Sequence, residues 1–142
     1  MRVNLLPIHP DLAMLLRQGD KTLTMRPVKP QPSHFDPAGG TLCFGSGEGA
    51  EITVYTDDFP CPHGRPGDLL VFYFEGNNAP FYTGKITAVS LQRLLDVRDE
   101  QVKLEGMESR AALLAFWDLL YGETEFASHF NPLVWAIRYC KG

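Results

Sequence analysis

The sequence lacks what a membrane protein, a secreted disulfide scaffold or a broad duplex-DNA binder would need. No run approaches the roughly 18 consecutive apolar residues of a membrane-spanning helix. Near the N-terminus Pro7, His9 and Asp11 interrupt any apolar stretch that could serve as a signal peptide. Positive charge is not in excess: 13 Lys and Arg stand against 17 Asp and Glu, for a formal net charge of −4. That balance argues against a long electrostatic footprint on duplex DNA, although a compact site reading one nucleotide needs only a few local cations. The 3 cysteines, Cys43, Cys61 and Cys140, are odd in number and widely spaced, so a reducing, cytoplasmic setting is expected. Paired metal ligands are missing too. Cys61-Pro62-His63, with His34 and Cys43 upstream, hints at metal chemistry but has no second closely spaced pair. Gly39-Gly40 and Gly45-Ser46-Gly47 lack the strand-then-helix setting of a phosphate loop, and no Ser-His-Asp or Cys-His order stands out. No metal and no cofactor is expected.

What is present fits one domain. With 142 residues, 44% hydrophobic and 21% charged, the chain can bury roughly two-thirds of its unfolded surface. Val3 to Ile8 reads as a short apolar strand. Pro10 to Gln18 reads as a helix, with proline in its first turn, Leu12, Leu15 and Leu16 on one face and Gly19 as its stop. Lys21 to Arg26, rich in threonine and closed by Pro27, should be extended. Residues 27–49 carry many prolines and glycines and little periodicity, an insertion rather than a domain linker because core elements flank it. Glu51 to Tyr55 reads as a strand. Leu69 to Phe74 is nearly continuous apolar and should be buried on both faces, with Phe81 to Ser90 as its antiparallel neighbour across Gly76-Asn77-Asn78. Asp99 to Leu104 and Arg110 to Tyr121 read as helices, the second capped by Ser109, and Leu133 to Tyr139 as a closing strand. The sum is an α+β domain organised on a barrel-like sheet.

Two polar constellations interrupt this pattern. Lys21-Thr22-Leu23-Thr24-Met25-Arg26 places a lysine, two hydroxyls and an arginine just past a helix end. Taken alone, it is a solvated edge strand whose lysine discourages aggregation. Glu75, after the apolar strand, reads alone as a turn residue, and Asp68 after Gly67 as a tie to local backbone amides. Most of the aromatic side chains fit a core. Tyr82 and Phe130 are the two left as candidate stacking platforms for unpaired bases.

Taken in order, Gly19-x-Lys21-Thr22-x-Thr24-x-Arg26-Pro27, then Cys61-Pro62-His63-Gly64-x-Pro66-Gly67-Asp68-x-Leu70, then Phe74-Glu75, resembles the ASCH family of PUA-like domains. Phe116-Trp117-Asp118, Tyr121-Gly122 and Asn131-Pro132-Leu133-Val134-Trp135 resemble the version carried by bacteriophages and prophages. The resemblance covers nearly the whole chain. It implies a PUA-like mixed β pseudo-barrel with flanking helices, a cleft, and a link to RNA. One branch of the family removes the acetyl group of N4-acetylcytidine and another is a ribonuclease. The amidohydrolase branch places its functional lysine, threonine and glutamate at positions occupied here by Lys21, Thr24 and Glu75.

In such a site a desolvated lysine could act as base on the Thr24 hydroxyl, with a glutamate handling the leaving-group proton. Residues three apart on a regular strand face opposite ways, so Lys21 and Thr24 converge only if the chain bends between them. Arg26, Arg65, Tyr82 and Lys85 are the expected substrate contacts. The expected ligand is RNA or a modified nucleoside. The readings ranked behind simple binding are amide hydrolysis on an acylated nucleoside, ribonuclease action through Lys21 with Glu75 or His63, and a non-catalytic phage accessory role.

Overall fold

The computed structural model describes residues 2–19, 21–45, 51–74, 76 and 78–141. Strand β1 (Val3–Ile8) leads into helix α1 (Pro10–Gln18), followed by β2 (Leu23–Pro27). Three strands then come close together: β3 (His34–Asp36), β4 (Thr41–Gly45) and β5 (Glu51–Tyr55). The remainder is β6 (Leu69–Phe74), β7 (Pro80–Arg93), α2 (Asp99–Leu104), α3 (Arg110–Tyr121) and β8 (Leu133–Lys141). Among the described residues no helix is long and apolar enough to cross a membrane.

Five strands form one mixed sheet in the order β1-β6-β7-β8-β2, with β1 parallel to β6 and the other pairs antiparallel. Its two edge strands are neighbours in sequence, joined by α1. The β6–β7 connection turns through Gly76, at φ 97°, and Asn78, at φ 56°, a backbone that glycine and asparagine tolerate. The register between β7 and β8 shifts between Ile86 and Ala88, a bulge that bends the long β7. The curved sheet brings its edges together. The Arg26 guanidinium of β2 donates from Nη2 to the Pro7 carbonyl of β1 over 2.8 Å, clasping the seam of a half-barrel.

Alternation along β8 divides the core. Leu133, Trp135, Ile137 and Tyr139 pack with Leu6, Ile8, Leu16, Leu70, Phe72 and Ile86. Val134 and Ala136 point the other way, to Leu23, Met25, Leu113 and Trp117 beneath α2 and α3. Each fully buried Leu, Ile or Phe contributes about 1.5–3 kcal/mol over its exposed state. β6 differs from expectation. Only Leu70 and Phe72 are fully buried, because just one face of β6 meets the core.

Among the described residues, the proline- and glycine-rich stretch after Pro27 is more ordered than its composition suggests. His34–Asp36 and Thr41–Gly45 pair antiparallel, and β4 pairs with β5, giving a separate three-stranded sheet that buries Leu42. Asp68 ties its turn as expected and does more. Its Oδ2 accepts from the Arg65 amide and its Oδ1 from the Arg2 amide, both at 3.2 Å, so it also pins the start of β1. Burial pushes the Asp68 carboxyl up, but these amide bonds prevail and hold it below the ordinary range.

Candidate functional site

The site begins where α1 ends. Gly19, in the left-handed region at φ 78°, stops the helix, and the Lys21 amide donates to the Leu15 carbonyl over 3.2 Å. The Thr22 amide donates to the Leu104 carbonyl over 2.8 Å, and the Tyr139 amide donates to the Thr22 carbonyl over 3.0 Å. Thr22 is thus held between the end of α2 and β8, and regular strand geometry starts only at Leu23. Lys21 precedes the strand and Thr24 lies on it, so the alternation of strand faces does not separate them. Both line one cavity of about 200 Å3, which meets the condition that the chain turn between them.

From Leu23 on, the Lys21–Arg26 segment does lie in an edge strand, yet it is not a solvated one. Lys21 is 2% exposed and Thr24 3%, because α3 and the end of α2 cover the segment. The Lys21 ammonium donates to the Leu23 carbonyl and to Glu105 Oε2, each at 2.5 Å. Burial lowers the Lys21 pKa, Glu105 partly restores it, and the Arg26 charge lowers it further. Glu105 closes α2, its amide donating to the Gln101 carbonyl over 2.9 Å. The next residue, Gly106 at φ 82°, turns the chain against α1, and a Cβ there would meet Leu15 Cδ1 at 2.8 Å.

Arg26 completes the polar floor. Its Nε donates to Thr24 Oγ1 over 3.2 Å while Nη2 holds the Pro7 carbonyl. The walls are apolar and aromatic. His9 packs edge-on to Phe116, with ring centres 5.3 Å apart, and Trp117 is fixed by donating from Nε1 to the Phe126 carbonyl over 2.8 Å. Tyr121 lies against Trp117 at 4.6 Å. The cavity thus offers the Lys21 ammonium, the Glu105 carboxylate, the Thr24 hydroxyl and the Arg26 guanidinium inside an aromatic enclosure.

Of the residues singled out in the sequence, the structure brings Lys21, Thr24 and Arg26 together. Glu75 lies outside the described residues. Arg65, Tyr82 and Lys85 do not line this cavity. Arg65 belongs to the loop before β6 and borders a different cavity. Tyr82 packs against Phe72 and Tyr139, its hydroxyl pKa raised by burial and by the neighbouring Cys140. Lys85 is an exposed residue of β7, and Phe130 is 61% exposed beside His129. Among the described residues no three His, Cys, Asp or Glu gather as metal ligands.

Glu105 is the functional candidate that reading the sequence missed. A signal was there: Gln101 and Glu105 are one helical turn apart beside Val102, so helix phase places a carboxylate on the buried face of α2.

No protein-family model matches the sequence, and no curated protein does. Solved structures do match. An ASCH domain from Lactobacillus crispatus JV V101 is 14% identical, with a TM-score of 0.59 over 99% of this chain and 79% of that one. A protein from Enterococcus faecalis V583, described by the family model DUF984, is 12% identical, with a TM-score of 0.59 over 98% and 79%. The hypothetical protein PH0355 is 14% identical, with a TM-score of 0.55 over the full length of both chains. At these identities the likeness establishes the fold: a mixed half-barrel sheet with few helices, of ASCH or PUA-like type.

Proposed function

We propose that the chain binds a pyrimidine nucleoside, free or as an unpaired residue of RNA, in the cavity floored by Lys21, Thr24, Arg26 and Glu105. The convergence of these four polar groups on one aromatic-walled cavity carries the reading. An unstacked base is a flat ring with donors and acceptors on one edge, recognised by aromatic contact and by hydrogen bonds to that edge. The Lys21 ammonium would donate to a ring carbonyl. The Glu105 carboxylate would accept from an exocyclic amine, as acidic side chains do with cytosine N4. Among the described residues Glu105 Oε1 has no hydrogen-bond partner, which suits that role.

A second reading, hydrolysis of an N4-acylated cytidine, draws on one further observation: a lysine with a lowered pKa lines the same cavity as a threonine hydroxyl. Thr24 Oγ1 would attack the acyl carbon as its proton passes to Lys21, whose own proton Glu105 has first accepted, and the Arg26 Nε–H would stabilise the developing alkoxide. The C–N bond then breaks, the exocyclic nitrogen takes up a proton, and water releases the carboxylic acid from the acyl-threonine.

Calorimetric titration with cytidine and uridine tests binding. Saturable heat that vanishes in Glu105→Gln is expected, and no heat with either nucleoside refutes the proposal. Incubation with N4-acetylcytidine tests the reaction: cytidine should appear with the native chain and not with Thr24→Val. Binding without turnover removes the second reading and leaves the first.

A further inference from the structure

We infer that His9 is the sugar-contact residue of the cavity, donating from Nε2 to a ribose hydroxyl, so that the site takes a ribonucleoside in preference to the base alone. This inference rests on the nucleoside reading above and deepens it.

His9 is the last residue before α1 and serves as its N-cap. Its Nδ1 accepts from the Asp11 amide over 3.2 Å, and its carbonyl accepts from the Leu12 amide over 2.9 Å. Caps of this kind are usually serine, threonine, asparagine or aspartate, whose side chains are short. A histidine caps equally well and keeps a second nitrogen in reserve. Because Nδ1 accepts an N–H it carries no proton, so the imidazole proton sits on Nε2. The Asp11 carboxylate, 3.6 Å from Nδ1, is exposed and beyond hydrogen-bond range. Nε2 has no hydrogen-bond partner among the described residues. His9 lines the cavity, and Nε2–H is therefore the one polar group its side chain can offer there.

Its place in the cavity matches the place of a sugar. Lys21, Thr24 and Glu105 are buried, whereas the His9 side chain is 27% exposed and Leu120, on the same cavity, 43%. His9 and Leu120 therefore mark the mouth and the three buried groups the inner end. In a cytosine ring the glycosidic nitrogen lies across from the exocyclic amine. A nucleoside that presents its amine to Glu105 thus leaves its ribose toward the mouth, where the hydroxyl oxygens can accept from Nε2–H.

The ring is also held ready. It packs edge-on against Phe116, with centres 5.3 Å apart. The Arg26 guanidinium holds the Pro7 carbonyl, two residues earlier, and so ties the end of β1 to the strand that carries Thr24. A donor fixed in this way loses little freedom on binding.

Long-range proton–nitrogen spectra of the full chain, with nitrogen-15 in its imidazole rings, read Nε2 directly; the His9 signals are assigned by their loss in His9→Asn. Cytidine should shift the His9 Nε2 signal. 1-Methylcytosine, which keeps the base edge and lacks the sugar, should leave it in place. Two variants then separate the donor from the cap in calorimetric titrations. His9→Asn keeps a capping acceptor and removes the ring, whereas His9→Phe keeps a ring and removes the donor. Each should weaken cytidine about threefold to tenfold, the worth of one neutral hydrogen bond, and leave 1-methylcytosine unchanged. If either variant holds cytidine as tightly as the native chain, or weakens both ligands alike, this inference is overturned and base binding at the inner end stands. If neither ligand binds the native chain, both readings are overturned.

Discussion

The buried ion pair between Lys21 and Glu105 yields the sharpest prediction. At 2.5 Å and an effective dielectric near 20, the attraction is roughly 7 kcal/mol before desolvation is counted. Taking the two ions out of water costs several kcal/mol each, so the intact pair nets close to zero or below. Its side chains are only 2% and 9% exposed, so neither charge can turn back to solvent when the other is deleted. Lys21→Met should therefore cost about 3–5 kcal/mol, since it strands the Glu105 carboxylate and also takes a donor from the Leu23 carbonyl. Glu105→Leu should cost a similar amount by stranding the ammonium. The double variant should recover most of the loss, ending near native stability or above it. Urea unfolding followed by tryptophan fluorescence supplies all four corners of the cycle, with unchanged m-values as the check that compactness is preserved. Single variants costing under about 1 kcal/mol would place the pair in the range of exposed salt bridges and refute the burial argument. Ligand binding provides the counter-test, because the double variant should fold well yet bind no nucleoside.

The remaining predictions concern the loop and the seam. Burial, then the Arg26 and Lys29 charges, lower the His63 pKa from 6.5 to about 4. The unfolded chain therefore takes up this proton first, so stability is full above about pH 6.5 and falls as the pH drops toward 4; His63→Gln should flatten that slope in unfolding titrations. Gly64 has φ 123°, and an added Cβ would sit 2.6 Å from Asn4 Nδ2 and 2.7 Å from Ile86 Cδ1. Gly64→Ala should thus lower the thermal midpoint by several degrees, as about 1–3 kcal/mol of strain does in a domain of this size. Arg26→Lys keeps the charge but not the fork that reaches both Thr24 and Pro7. A loss of about 1.5–3 kcal/mol is expected, with faster amide exchange in β1 and β2; unchanged exchange there would show that the seam does not depend on this clasp.

The local elements were legible because their signals are local. Proline in its first turn and Gly19 at its end bound α1, Ser109 caps α3 by accepting from the Ala112 amide, and alternation marks β8. What escaped depends on contacts far apart in the chain. Lys21 looked like a solvated edge residue because its partner lies 84 residues away and its cover comes from α3. β6 looked buried on both faces because its composition is apolar, although only alternate positions reach the core. The insertion lacked periodicity because β3 spans only 3 residues and the sheet it joins leaves much of its surface exposed. Motif order located Lys21 and Thr24, whereas helix phase marks Glu105 only as buried and its pairing with Lys21 comes from the fold.

The position of β2 in the sheet also bears on the order in which the molecule is made. Thr24 pairs with Ile137 and Arg26 with Trp135, and among the described residues β2 has no other strand beside it. During synthesis the segment holding Lys21, Thr24 and Arg26 leaves the ribosome ahead of β8 and waits for more than a hundred further residues before its partner strand exists. β1 waits a shorter time, since β6 is complete by Phe74. At about 5–20 residues per second, that interval is on the order of ten seconds. The cavity lined by Lys21, Thr24 and Arg26 is thus among the last parts of this domain able to close, and a nascent chain short of β8 holds a lysine and an arginine with no sheet to bury them.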